Sequence, residues 1–416
     1  MKAEFISGYA TRFTRWSAIA LAASIPISTA LDNVLLVVIL AAWMLSGYMR
    51  DIYHFFFKNK VLLYPVAMFG LLAFGTLYGE SPQREALAHV WKYADLLFIP
   101  IFAIAFRERE TRIQALLVFA ITIAIIVVFS YLLRMGILPK LPFITGDAAL
   151  PTVFKHKITH SILVAFGAFL FVWLGSTTAN HRLRLVWYAL ALLAAFNVLL
   201  IVPGATGYGV LLALTLVWVA ERIGRRSAAR AVLVIVSIAA ALILIPNPFQ
   251  DRVMLTQKEI RLWNPSIPAT ESTSAGLRLE FYKNTLDIIS SHPFVGVGTG
   301  GFPKAYAQQV KHTGMFQTHN PHNEFLNIAA QIGIVGLLAL IAMFSVQWRS
   351  AGQLATPMEQ SLARGLVLTL VSGCMVNSLL LDHAEGLFYA WMSGLLYGGL
   401  KCNLPENLPE KSAAHT

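Results

Sequence analysis

Long apolar stretches alternate along this chain with short polar joints, and they are too many for a soluble core. They run near 16–31, 34–49, 61–78, 93–106, 113–133, 158–176, 184–202, 207–221, 230–246, 325–347, 362–381 and 387–402. Most are of a length that crosses a hydrocarbon layer about 30 Å thick as a helix. The stretch 93–106 is short, and reads as tilted, re-entrant or extended upstream through Trp91. The pattern predicts an all-α membrane protein of about twelve transmembrane helices. One large, partly helical loop interrupts it between the ninth and tenth spans. The implied units are spans one to nine in 1–246, the loop in 247–324, spans ten to twelve in 325–402, and a tail in 403–416.

Composition sharpens this picture. The 416 residues are 57% hydrophobic and only 13% charged, which leaves lipid as the solvent. A net charge of +11 comes without a basic stretch interleaved with polar residues, so nucleic acid is not an expected partner. The positive charge sorts between joints instead. With both termini cytoplasmic, the inner joints and termini hold 19 Lys or Arg, and the short outer joints hold 6. That excess is the positive-inside pattern; long loops are exempt from it, so 247–324 faces outward. The start (Lys2, Arg12, Arg15, then an apolar run) has no marked cleavage site and reads as an uncleaved first helix. Cys374 and Cys402 read as free thiols.

The outward loop is polar but patterned. Leu279, Tyr282, Leu286 and Ile289 recur at helical spacing within Leu277–Ile289, which predicts an amphipathic helix. Gly296, Gly298, Gly300 and Gly301 follow. With no preceding strand and no following Lys-Ser/Thr, they read as a tight turn and not as a nucleotide loop.

The densest polar cluster is His319-Asn320-Pro321-His322-Asn323-Glu324, directly before the run from Phe325. Asn320 followed by Pro321 reads as an N-cap and first helical residue, which places His322 and Asn323 in the first turn. The positive end of a helix disfavours a protonated imidazole, and a neutral one can act as a general base. A polar cap at the water interface is the plainer alternative. His319, His322 and Glu324 match no established zinc spacing. The seven Asp residues are scattered, which argues against a carboxylate-held magnesium. An anionic substrate would therefore be met by Arg and Lys. Arg278, Arg261 and Arg252 on the loop are candidates, and so are Lys155 and Lys157 before the sixth span. Arg278 leads because it opens the amphipathic segment and can bind phosphate with both arms of its fork.

Taken together, Arg278, the segment His292-Pro-Phe-Val-Gly-Val-Gly-Thr-Gly-Gly-Phe302, the segment His319-Asn-Pro-His-Asn-Glu-Phe-Leu326 and Gly333-Ile-Val-Gly-Leu337 resemble a known outward loop. It is that of bacterial O-antigen ligases, O-antigen polymerases and protein O-oligosaccharyltransferases. The rest of the chain agrees in hydropathy and in patches such as Trp91-Lys92-Tyr93. The resemblance implies glycosyl transfer of O-antigen polysaccharide from undecaprenyl diphosphate to lipid A–core oligosaccharide, without metal or other cofactor. The place would be the periplasmic face of the inner membrane. It assigns His322 as the base and Arg278 to the diphosphate. It leaves Asn323, His319, Arg261, Arg252, Lys155 and Tyr282 as substrate-binding candidates. Relatives carry Arg in a Gly-Arg-Thr-Gly-Tyr pattern where this chain has Ala205, so either another cation (Lys155, Arg261 or Arg252) takes over its contact or this copy is impaired. A single long loop and a short C-terminal tail lean towards ligase over polymerase or protein-directed transfer. The near absence of charge within the spans leans against a transporter.

Overall fold

The computed structural model describes residues 2–46, 59–139, 141–222, 240, 244–265 and 274–400, and among them all regular structure is helical. The helices are α1 (Lys2–Ile27), α2 (Thr29–Leu45), α3 (Lys60–Phe74), α4 (Gln83–Trp91), α5 (Phe98–Ala105), α6 (Arg109–Arg134), α7 (Lys157–Thr177), α8 (His181–Phe196), α9 (Ala205–Arg222), α10 (Pro248–Leu262), α11 (Ser274–Ser291), α12 (Phe302–Gln309), α13 (Glu324–Ala351), α14 (Pro357–Cys374) and α15 (His383–Tyr397). Most of the predicted ninth span, the joints near 50 and 225, Lys140, residues 266–273 of the outward loop, Cys402 and the tail lie outside the described residues.

Helices occupy the other eleven predicted runs, but not all are long enough to cross alone. By length and apolarity α6, α7, α8 with its continuation to Ile201, and α13 qualify. The helix pair across 83–105 makes a fifth if counted as one span, its halves meeting at 53°. That is the upstream extension through Trp91 that the short run at 93–106 allowed. Apolar helices α2 and α3 are shorter. At 1.5 Å per residue, 15 to 17 residues reach about 22–26 Å, short of a full hydrocarbon core. Twelve crossings is therefore more than helix length and composition support by themselves.

Side-chain bonds between distant helices gather at two ends of the bundle. At one end Lys155 pairs with Asp32, Thr159 donates to Glu385, Tyr93 to Glu324, and Asn377 to Thr206. At the other, Arg15 pairs with Glu108, Arg112 with Glu359, and Arg364 with Glu221. Each group joins only chain positions that the alternation of apolar runs puts on one side. Between the ends, α15 is buried on every face from Glu385 to Tyr397, as an all-round apolar helix must be. Its Phe388 lies 5.6 Å from Phe119 and 5.2 Å from Phe166, ring centre to ring centre.

Two elements depart from the sequence reading. The predicted eleventh span, 362–381, is helical only to Cys374; residues 375–382 form a non-helical turn whose polar pair, Asn377 and Ser378, is buried. Amphipathic α11 exists as predicted, but it buries Phe281, Thr285 and Ile288, while Leu286 is 53% exposed. The reason is its partner. Phe281 and Ile288 pack with Phe302, Tyr306 and Val310 in a small second core under the loop, and that core chose the face.

Helix α13 is broken within itself. Ile332 and Gly333 leave helical geometry (Gly333 at φ 63), which strips helical partners from nearby carbonyls. The glycine-rich segment replaces them: Val297 N–H donates to Ala330 O at 2.9 Å and Gly298 N–H to Gln331 O at 2.8 Å. Ile334 N–H returns to Pro293 O at 2.9 Å, and Thr299 N–H reaches Gly75 O at 3.0 Å. Unpaired backbone at membrane depth is costly, so this clasp is what makes the break tolerable. The glycines are thus a junction between loop and bundle, a tighter role than the simple turn predicted for them.

Candidate active site

The histidine motif sits where α13 begins, but the helix starts three residues later than the sequence signature placed it. Asn323, not Asn320, is the N-cap: its side-chain oxygen accepts from Leu326 N–H at 3.0 Å. His322 therefore precedes the helix, at φ 55, the one non-glycine residue with positive φ among the described residues. Asn320 makes this possible. Its side-chain oxygen accepts the His322 N–H at 2.8 Å, closing a local turn that competes with helix. Left-handed backbone costs a residue with a Cβ about 1–2 kcal/mol and persists only where surroundings enforce it.

The imidazole is half-buried, lying against Phe281 with centroids 6.0 Å apart and planes 26° from parallel. Burial first, and the nearby Arg278 second, lower its pKa below the ordinary 6.5. At pH 7 the ring is neutral and able to take a proton. Arg278 and Tyr282 project from successive turns of α11. The Tyr282 hydroxyl donates to the carbonyl oxygens of His322 and Met375, each at 3.1 Å. Burial lowers the pKa of Arg278 too, but a guanidinium stays charged.

Cations form a row away from His322. Arg278 is within electrostatic reach of Arg252 on α10, and Arg252 of Lys157 at the start of α7. Among the described residues none of the three makes an ion pair, and the Arg252 Nε is buried without a hydrogen-bond partner. Arg252 does reach Ser274 Oγ at 3.1 Å. Glu259 is the carboxylate that acts on Arg278; with two further cations in the row and no direct ion pair, the arrangement suits an anion.

The remaining sequence candidates are placed differently. Lys155 is buried in the bundle end, 3.7 Å from Asp32 Oδ2 and donating to Thr29 Oγ1 at 2.8 Å, so its charge is already matched. Lys157 packs beside Gly204, the residue before Ala205: its Cε lies 3.1 Å from where a Cβ on Gly204 would stand. Arg261 and His319 are exposed. Asn323 has both amide ends occupied, since its nitrogen donates to Met375 O at 2.8 Å. Glu324 points into the bundle, accepting from Tyr93 Oη at 2.8 Å and Leu380 N at 3.0 Å, away from the histidines. Among the described residues no three His, Cys, Asp or Glu are grouped to hold a metal ion.

Several site-building residues escaped the sequence reading. Tyr93 belongs to the Trp91-Lys92-Tyr93 patch, and its hydroxyl also accepts from Asn327 Nδ2 at 3.0 Å. The 375–380 turn was hidden inside an apolar run; its one signal is the polar pair Asn377-Ser378.

Fold and site together define a multi-pass helical membrane protein with a neutral histidine and a row of cations at one end of its bundle. Residues 204–341, from the start of α9 to the middle of α13, match a family model described as O-antigen ligase. That match covers a third of the chain and supports the resemblance carried by Arg278, the glycine segment and the histidine motif. No curated protein matches the chain.

Proposed function

We propose that this protein is an O-antigen ligase that transfers O-antigen polysaccharide from undecaprenyl diphosphate to a sugar hydroxyl of lipid A–core oligosaccharide. The observation that carries the reading is the neutral, half-buried His322 beside Arg278, at the head of a row of cations that make no direct ion pair among the described residues. In this reading the acceptor oxygen attacks the anomeric carbon as the bond to the diphosphate breaks. His322 takes the acceptor proton, and the lipid diphosphate departs onto Arg278, Arg252 and Lys157. Lys157 supplies the charge that relatives carry at the position of Ala205. General base help contributes about 10²–10⁴-fold, and positioned cations contribute several kcal/mol more. Asn323 acts by holding the start of α13; His319 and Arg261, exposed above the site, are left to the incoming glycans. The 247–324 loop and the end of the bundle bearing Asp32, Lys155 and Glu324 face the periplasm. Both termini are cytoplasmic, the protein sits in the inner membrane, and no metal takes part.

The test is transfer from purified lipid-linked glycan to lipid A–core by wild type and His322→Ala, with and without EDTA. Loss of transfer by about 10²-fold or more in His322→Ala, with EDTA harmless, supports the reading. Wild-type activity in His322→Ala sinks the base role, and loss in EDTA restored by a divalent ion overturns the metal-free mechanism. Preference for a protein acceptor, or for a second lipid-linked glycan, moves the assignment to the protein-directed transferases or the polymerases.

A further inference from the structure

We infer that Ser378, in the turn between α14 and α15, is a positioning residue that sets the catalytic geometry of His322 through Asn320. The inference rests on the reading of His322 as the base. The turn lies outside the segment 204–341 that matches the ligase family.

Two side chains hold the left-handed backbone of His322: Asn320 Oδ1 accepts its N–H at 2.8 Å, and the Tyr282 hydroxyl donates to its carbonyl at 3.1 Å. An asparagine side chain free to rotate would not enforce that geometry. Ser378 removes the freedom: its Oγ donates to the same Oδ1 at 2.7 Å, and Ser378 itself is 1% exposed. Oriented this way, Asn320 presents a fixed acceptor, and the αL conformation follows.

Further groups of the same turn grip the surroundings. Met375 O accepts from Tyr282 on the Arg278 helix and from the Asn323 amide. Asn377 O accepts from Glu324 N at 3.2 Å, and Asn377 Nδ2 donates to Thr206 Oγ1 at 2.8 Å. Leu380 N donates to Glu324. One short turn thus references the histidine, the helix of its partner arginine and the start of α9 to a common frame. Catalytic groups must be held within fractions of an ångström, and small misplacements cost rate more than binding.

The experiment compares full-length wild type, Ser378→Ala, Asn320→Ala and the double variant in the purified transfer assay, at equal amounts of folded protein. Ser378→Ala is expected to lower kcat about tenfold while KM for donor and acceptor stays within about twofold. Because both changes break one linkage, the double variant is expected to lose no more than Asn320→Ala alone. Wild-type kcat in Ser378→Ala, a loss expressed in KM, or losses that multiply in the double variant each overturn the inference. His322→Ala run alongside separates the two readings. If it is inactive while Ser378→Ala is fully active, only the positioning role fails; if it is active, the base assignment itself has failed.

Discussion

The Tyr282 hydroxyl donates to the carbonyl oxygen of His322 at 3.1 Å, so the helix that carries Arg278 is bonded to the residue whose pKa that arginine depresses. His322 and Arg278, 44 residues apart in the chain, are thereby one assembly. Their spacing is fixed by a phenol that also reaches Met375 O at 3.1 Å.

Removing that hydroxyl tests the linkage. Tyr282→Phe keeps the ring and removes the one phenol hydrogen that the two carbonyls share, a net contribution of about 1 kcal/mol. The expected result is a kcat lowered roughly five- to thirtyfold with little change in melting temperature, read by steady-state transfer and by thermal unfolding in detergent.

The pH dependence has a definite sign. A base works when unprotonated, so kcat/KM falls as pH drops through the pKa of His322, which burial and Arg278 hold below 6.5. The acidic limb of the wild-type profile is expected below that pH. Arg278→Gln removes a positive neighbour, favours the protonated ring, and should move the limb upward in addition to weakening donor binding. A limb that stays in place would separate Arg278 from the histidine.

The two neighbouring lysines should fail differently. Lys155→Met leaves Asp32 fully buried with its ion-pair partner gone, a loss of about 3 kcal/mol or more that shows as a lowered melting temperature. Lys157→Ala should leave the melting temperature near wild type and raise KM for the lipid-diphosphate donor. Adding Ala205→Arg to Lys157→Ala should restore it, because Lys157 packs against Gly204, the residue next to Ala205.

Backbone geometry gives a paired control at two glycines. Gly298 sits at φ 85, and a Cβ there would strike the backbone of Gly79, so Gly298→Ala should disrupt the junction between loop and bundle and cut the yield of folded protein. Gly209 lies inside α9 with open space around it. Gly209→Ala should be neutral or stabilise by up to about 1 kcal/mol, as alanine does in a helix.

Much of this protein could be read from the sequence by itself. Run length and hydropathy are local properties, and they located the helices and their alternation between two ends. They also isolated a single long polar loop and put Arg278 and His322 within it. Asn323-Glu324 shows where local signals end. Asn320-Pro321 is a sound helix start by chemistry, yet α13 begins at Glu324, because Asn320 is claimed by Ser378 from a turn 58 residues later. The buried face of α11 was likewise chosen by Phe302 and Tyr306, and not by its own periodicity. Lys155 and Lys157 are equivalent in sequence, and only packing decided that one meets Asp32 and the other stands beside Gly204. The sign of φ at His322, and the partners of a buried polar atom, depend on which distant segments are packed together. Tertiary structure alone settles that.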